Sequence, residues 1–163
     1  MSNEIRNIIR NQKYLMTNFF FNMLRGTIYF PDEQNSFFRD KIIGKTIVDI
    51  IGACSGSAHI SFKFSDNTCM KMYHSQSCCE EVEVDDIVGD IDDLINCEIL
   101  GAELVQSSDD GNPKEEYDSS YTWSFYKFRT HKGYVVLRWY GSSNGYYSET
   151  VNIEYVDLNN FDE

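Results

Sequence analysis

Residues 59–64 alternate apolar and polar side chains, and together with residues 68–73 they constrain the fold more than any other part of the chain. Ile60, Phe62 and Phe64 fall on one face of an extended segment, because successive side chains of a strand point to opposite faces. Residues 65–67, Ser-Asp-Asn, favour a turn, and residues 68–73 can form a second strand. The sequence therefore predicts an antiparallel hairpin with one buried face.

Other parts of the chain also have strand character. These segments are residues 45–51, 82–84, 97–106, 121–130 and 133–140. Asn144-Gly145 is the strongest short hairpin signal, because both residues accept a positive φ at low cost. We expect this turn to pair residues 137–140 with residues 147–155.

Two segments have helical spacing. Residues 3–25 carry an apolar stripe that ends before Gly26, and residues 85–95 combine apolar positions with an acidic outer face. Residues 27–41 look irregular. The sequence predicts an α+β fold: one strongly curved antiparallel sheet of six or seven strands, a short acidic helix, and an N-terminal helical extension. The extension is residues 1–41 and the folded domain is residues 42–163.

The charge of the chain is concentrated in one window. Residues 80–118 hold fifteen of the 26 acidic residues and one of the 14 basic residues, and the whole chain has a formal charge of −12. Direct binding to nucleic acid is disfavoured, because phosphate contacts need clustered Lys and Arg. Such a single-sign field indicates either a solvated helix face or a surface that docks on a basic channel or mimics phosphate.

The centre of the predicted docking surface consists of acids between the strand signals. They are Asp85, Asp86, Asp90, Asp92 and Asp93. Their spacing does not fit a calcium-binding loop, and no carboxyl group is set apart as a glycosidase acid. Tyr146 and Tyr147 follow the Asn144-Gly145 turn, and we expect them to be exposed anchors for a partner.

His74, Cys78 and Cys79 form the one cluster of soft metal ligands in the sequence. Imidazole and thiolate groups suit tetrahedral zinc, so these residues predict a zinc site. Further ligands would come from other parts of the chain: Cys54, His59, Cys69, Cys97 or His131. Two alternatives remain open. In one, the cluster is ordinary packing residues with a solvated His74. In the other, Cys78 or Cys79 is a nucleophile paired with His74 or His131, and Glu80 is the orienting group.

Five cysteines and no export signal favour a reducing compartment. Residues 1–10 are polar with mixed charge, and the apolar run at residues 18–24 is too short to span a bilayer. We therefore expect a cytoplasmic protein with reduced thiols.

Several short stretches together resemble a known family. They are residues 43–47 (Ile-Gly-Lys-Thr-Ile), the segment from His74 to Cys78-Cys79-Glu80, residues 90–95, residues 122–126 (Thr-Trp-Ser-Phe-Tyr), residues 132–133, residues 138–141 (Arg-Trp-Tyr-Gly) and residues 143–149 (Ser-Asn-Gly-Tyr-Tyr-Ser-Glu). From about Ile42 to Asp157 the chain resembles a family of small proteins from phages and prophages of Gram-positive bacteria, which has no established activity. The resemblance implies a phage origin.

The small size, acidity and implied phage origin also resemble, more loosely, proteins that antagonise bacterial defence, including inhibitors of Cas9-class nucleases. The leading expectation is a non-enzymatic protein that binds and inhibits a basic host-defence nuclease, most plausibly a CRISPR effector. One alternative is a phage accessory or assembly protein whose partner, another phage protein, docks on the N-terminal helix. A second alternative is a cysteine-dependent hydrolase.

Overall fold

The computed structural model describes residues 28–29, 32–107, 113–116 and 118–160. Within these residues the elements, in chain order, are β1 (Ile28–Tyr29), α1 (Asp32–Ile42), β2 (Thr46–Ile51), β3 (His59–Phe64), β4 (Thr68–Tyr73), β5 (Glu81–Val88), β6 (Cys97–Glu98), β7 (Gly101–Ser107), β8 (Ser120–Arg129), β9 (Tyr134–Ser143) and β10 (Asn152–Asp157). Two short 3₁₀ turns, Ile91–Leu94 and Leu158–Asn160, complete them. The helix predicted at residues 3–25 lies outside the described residues.

The hairpin predicted from the alternation is confirmed as β3 and β4. Lys63 pairs with Cys69 at its closed end, and Asn67 adopts φ 61°, a left-handed conformation that Asn tolerates. Asp66 accepts hydrogen bonds from the backbone N–H (3.1 Å) and the hydroxyl (2.5 Å) of Thr68, which fixes the turn. Ile60, Phe62 and Phe64 are all buried, as the period of two requires.

The α+β class and the antiparallel pairing are confirmed, but the strands form two sheets. The first sheet has the order β1-β7-β8-β9-β5, and the second has the order β10-β4-β3-β2-β6. The prediction of one curved sheet of six or seven strands is therefore wrong. An alternating pattern shows that one face of a strand is buried, but it does not show which strands are neighbours.

The core lies between the two sheets and is closed by α1. Phe62 of the second sheet lies 5.3 Å, centroid to centroid, from Phe128 of the first. Phe38 of α1 contacts both Phe128 and Tyr126 edge-on at 5.3 Å.

Residues 27–41 were predicted to be irregular, which is wrong for the part that forms α1. The core takes in residues N-terminal to Ile42.

The helix predicted at residues 85–95 is also wrong. Residues 85–88 continue β5 along β9, and only Ile91–Leu94 form a 3₁₀ turn. The register of β5 shifts between Val84 and Asp86, which marks a β-bulge. A bulge adds one residue to a strand and breaks its period of two. The apolar residues that follow it therefore acquire a spacing that resembles a helix.

Asn144-Gly145 forms a turn, but not the predicted hairpin. The chain crosses to the second sheet after it, where β10 pairs with β4 rather than with β9. The segment after the turn packs against the end of β9, so closely that a Cβ atom on Gly141 would lie 2.2 Å from the Glu149 carbonyl oxygen. Among the described helices, none has the length and apolar character needed to cross a membrane.

Candidate functional site

The acidic segment divides into a paired part, which reaches Asp85 on β5, and an open part that begins at the end of β5. β5 pairs with β9 in the first sheet, and two of its carboxylates, Glu83 and Asp85, face Lys114 and Arg138. The open part is residues 86–93, which we call the acidic turn. This division separates acids that hold the fold together from acids that are available to a partner.

Asp85 belongs to a cluster of ion pairs. The Nε–H of Arg138 donates to the Oδ2 of Asp85 at 2.7 Å, and a second N–H of the same guanidinium donates to that oxygen. The Nζ of Lys114 lies 3.5 Å from the Oδ1 of Asp85. Lys114 also donates to Glu83 at 2.8 Å, and this hydrogen bond raises the pKa of Lys114 against the effect of burial. The Arg138 guanidinium lies 5.4 Å from the Trp123 ring.

The structure places the Asp85 side chain against Arg138 and not on an outer face, and its role as a docking charge stays a prediction. Its side chain is only 13% exposed, because the bulge turns it towards Arg138. Much of its charge is neutralised within the molecule, so it contributes little to a field that reaches solvent.

The acidic turn is fixed by its own backbone and by contacts with the first sheet. Asp90 caps the 3₁₀ turn, since its Oδ1 accepts the backbone N–H of Asp92 at 3.0 Å. Leu94 is fully buried beneath the turn. Gly89 has φ +99°, and a Cβ atom there would lie 2.6 Å from the Tyr134 carbonyl oxygen. Position 89 therefore requires glycine.

This arrangement brings four of the five predicted acids together. Asp86, Asp90 and Asp92 are exposed, and Asp93 is half-buried. Asp86 lies at the end of β5 and the other three lie on the short loop after it, not on a helix face. The clustering that the sequence predicted is thus present, with a different local structure and without Asp85.

A groove of about 470 Å³ with both apolar and polar lining, which we call the apolar groove after its side chains from β2 and the acidic turn, lies between these two elements. Its apolar lining residues are Val48, Ile50, Ala53, Ile91 and Ile95. Asp49 and Asp92 line it as well, and Ile51 at the end of β2 is 60% exposed. This groove was not predicted from the sequence. The available signal was the run Thr-Ile-Val-Asp-Ile-Ile in β2, which is apolar on both faces although only one face can meet the core.

Tyr146 and Tyr147 lie at the other end of β5. Tyr146 is 86% exposed and its ring meets that of Tyr147 edge-on at 5.2 Å. β5 begins beside Ser142, shortly before this pair, and ends at Val88, shortly before the 3₁₀ turn. The exposure expected for Tyr146 is present, but the structure does not place the tyrosines beside the acidic turn.

Residues 74–80 form a loop organised around buried Glu80. The Glu80 carboxylate accepts hydrogen bonds from the backbone N–H groups of Ser77 and Cys78, the latter at 3.0 Å. One of its oxygens lies 3.2 Å from the Nε2 of His74. The Ser77 hydrogen bond is the main cause that lowers the pKa of Glu80 to about 2; Cys78 and His74 act in the same direction and burial opposes them. The Nδ1–H of His74 donates to the Thr150 carbonyl oxygen at 2.8 Å.

The predicted zinc ligands are engaged in other contacts. Both ring nitrogens of His74 face oxygen atoms, and Cys78 and Cys79 are joined by a disulfide, where the sequence predicted reduced thiols. Among the described residues, no group of three or more His, Cys, Asp or Glu side chains is arranged to hold a metal ion. The free thiols are dispersed: Cys54 is exposed, Cys69 is half-buried and Cys97 is buried. Zinc stays a prediction of the sequence.

Comparison with known proteins places the chain in a family. Residues 40–153 match the family described as Domain of unknown function (DUF7448), and the chain belongs to it. The matched span runs from the end of α1 into β10, so it contains the acidic turn, the apolar groove and the Glu80 loop. No curated protein and no solved structure matched the chain.

Proposed function

We propose that this member of the DUF7448 family is a non-enzymatic binding protein that docks the acidic turn and the apolar groove onto a basic surface of another protein. The observation that carries the proposal is an open groove lined by apolar side chains and by the exposed Asp49 and Asp92, next to a turn on which Asp86 and Asp90 are also exposed. The resemblance to phage proteins adds the kind of target: a host-defence nuclease in the bacterial cytosol, and in particular a CRISPR effector of the Cas9 class.

The two parts of the surface would act at different stages of binding. Exposed carboxylates speed encounter with a basic partner and impose orientation, because complementary charges steer diffusion. The groove would hold the partner once it is bound, because covering apolar surface contributes about 25 cal/mol per Å² removed from water. Nucleic-acid channels of nucleases are basic, which suits the sign of this surface.

The contacts of His74 support a binding role over the cysteine hydrolase. A general base needs a ring nitrogen within reach of the nucleophile. In this loop Nδ1 is hydrogen-bonded to Thr150 and Nε2 faces Glu80, while Cys78 and Cys79 are bonded to each other. Glu80 therefore acts as the centre of a structural loop.

A charge-reversal experiment with a purified Cas9-class effector tests the proposal. The variant is Asp86→Lys with Asp92→Lys, and association and dissociation rates are measured at low and at physiological salt. We expect slower association by about tenfold or more and a smaller salt dependence, because exposed charges act mainly on encounter. Inhibition of DNA cleavage by the effector should fall in parallel. The effector is tested with and without guide RNA, since a phosphate mimic competes with the RNA for the channel.

The matched control reverses two exposed acids away from the groove. Asp40→Lys with Glu154→Lys makes the same change in net charge, on α1 and β10. Equal losses in the two double variants would mean that total charge matters and that the acidic turn does not. Absence of measurable binding between the wild-type protein and the effector would remove this class of target.

A further inference from the structure

A second cleft lies where α1 meets the end of the first sheet, and its charge is opposite to that of the chain. Its volume is about 340 Å³. Six polar or aromatic side chains line it: Asn35, Arg39, Glu103, Lys127, Arg129 and Tyr134. Three cations and one carboxylate thus converge in a protein of formal charge −12. Neither the acidic turn nor the groove explains this concentration of basic groups.

The fold itself brings the cations together from separate elements. Lys127 and Arg129 are two residues apart on β8, so they share one face of the sheet. Arg129 stands opposite Tyr134 on one side and Gly101 on the other. Asn35 and Arg39 are four residues apart on α1 and therefore lie on one side of the helix.

The guanidinium group of Arg129 is held in position. One of its terminal N–H groups donates to the Leu100 carbonyl oxygen at 2.6 Å. Gly101 leaves the space in which it lies, because a Cβ atom there would be 2.9 Å from the Nε of Arg129. A guanidinium has five N–H donors. The contact with Leu100 therefore fixes the group and leaves donors for an anion.

The acidic partners of the other two cations lie at the protein surface. The Nε of Arg39 is 3.1 Å from Asp40, and both side chains are about half exposed or more. The Nζ of Lys127 is 3.8 Å from Glu103 and 4.6 Å from the Tyr134 ring centre. Exposed ion pairs contribute little to stability, about 0–1 kcal/mol. An anionic ligand can therefore displace the acidic partners at low cost.

We propose that this cleft binds a phosphomonoester. Arg129 and Arg39 would contact the phosphate oxygens, Lys127 would add charge, and Tyr134, which is 47% exposed, would offer its ring to the organic part of the ligand. A doubly charged phosphate suits two planar guanidinium groups better than a single carboxylate does. A cavity of this volume is at the small end of ligand sites, which favours a nucleoside monophosphate or a sugar phosphate over a polymer.

The proposal is tested by titrating the protein with AMP, ribose 5-phosphate, inorganic phosphate and uncharged adenosine, followed by NMR and calorimetry. We expect shifts of the amides around the cleft with the three phosphates and none with adenosine. A preference for AMP over ribose 5-phosphate would identify a nucleotide site. Equal binding of adenosine, or no shifts at about 10 mM AMP, far above the range of a specific site, would overturn the proposal.

Two variants connect the binding to the geometry. Arg129→Gln removes a charged donor and should weaken AMP binding about tenfold or more. Gly101→Ala keeps every charge but pushes the Arg129 guanidinium out of place, and it should weaken binding several-fold. Position 101 has no positive φ, so alanine does not strain the backbone there. Gly101→Ala therefore tests the proposal even if Arg129→Gln fails to fold.

The matched control is Lys63→Gln with Lys71→Gln. Both lysines are exposed on the second sheet, so the pair lowers positive charge without touching the cleft. We expect less than a twofold change in AMP affinity. A loss equal to that of Arg129→Gln would show that AMP responds to overall charge, and the cleft would then not be a site.

Discussion

Replacing Asp85 with alanine should destabilise the protein, while the same change at Asp86 should not. The two residues are neighbours on β5 and carry the same charge. The Asp85 carboxyl group is 13% exposed and accepts two guanidinium N–H groups of Arg138, whereas the Asp86 side chain is 52% exposed and lies 3.8 Å from the same guanidinium. The comparison isolates the contribution of the buried contact from that of charge.

The size of the effect follows from the contacts. A hydrogen bond to a charged group contributes about 1.5–3 kcal/mol. The Arg138 side chain is 31% exposed, which places the pair between a buried and a surface interaction. We therefore expect Asp85→Ala to lower the free energy of unfolding by about 2 kcal/mol, and Asp86→Ala to change it by less than about 0.5 kcal/mol. For a domain of this size, that loss lowers Tm by about 4–8 °C.

A double-mutant cycle measures the pair directly. Urea unfolding of Asp85→Ala, Arg138→Ala and the double variant gives the coupling energy, which we expect to be at least about 1 kcal/mol. The matched cycle with Asp86→Ala should give less than about 0.3 kcal/mol. A coupling near zero for Asp85, or the same value in both cycles, would refute the division of the acidic segment into paired and open parts.

Two further predictions concern buried polar groups. The Tyr126 hydroxyl is fully buried and has no hydrogen-bond partner among the described residues, and burial raises its pKa. In urea unfolding, Tyr126→Phe should therefore leave the free energy of unfolding unchanged or raise it by up to about 1 kcal/mol. A clear loss of stability would reveal a partner of the hydroxyl. The pKa of Glu80 falls from an unfolded value of about 4.3 to about 2, so its stabilising contribution is complete above the unfolded value and disappears as the pH falls towards 2. The Tm difference between wild type and Glu80→Gln should shrink over that range, and a constant difference would contradict the role given to the carboxylate.

The sequence predicted local structure well where one physical rule acts alone. In β3 and β4 each apolar side chain faces the same core, and the turn residues between them match their conformations. Residues 85–88 were misassigned because the bulge at Asp85 breaks the alternation and the local pattern then resembles a helix. The contact with Arg138 could not be predicted from that segment, because Arg138 lies 53 positions away along the chain from the bulged residue that it holds.

The order of the strands and the point where the chain passes from one sheet to the other could not be predicted from the sequence, for a different reason. Asn144-Gly145 specifies a turn, but it does not specify whether the next strand pairs with the one before it. Here Glu149 packs over Gly141, and its carboxylate accepts hydrogen bonds from Ser143 and Thr122. The chain then enters β10, which pairs with β4 of the other sheet. The pairing is decided by long-range contacts, which periodicity does not contain.

The acids of the candidate site show how charge along a sequence differs from charge on a surface. The acids of residues 86–93 lie near one another although the predicted helix is absent, because carboxylates close together in the chain stay close in a short segment. The sequence could not separate Asp85 from the others, and it could not place an apolar groove beside Asp92, since β2 supplies that groove from about forty residues earlier. The basic cleft was missed for the same reason, as Arg39, Lys127 and Arg129 come from two distant segments.

The positions of the acidic turn and of Tyr146 limit the size of a partner that uses both. β5 has eight residues, so its ends are about 23 Å apart at roughly 3.3 Å per residue. A standard interface covers about 800 Å² on each protein, which corresponds to a patch about 30 Å across. One protein partner can therefore reach both ends, while a ligand confined to the apolar groove cannot. Between the two ends lie the ion pairs of Glu83 and Asp85, so such a partner would cover a surface whose charges are already matched, and its specificity would come from the two ends.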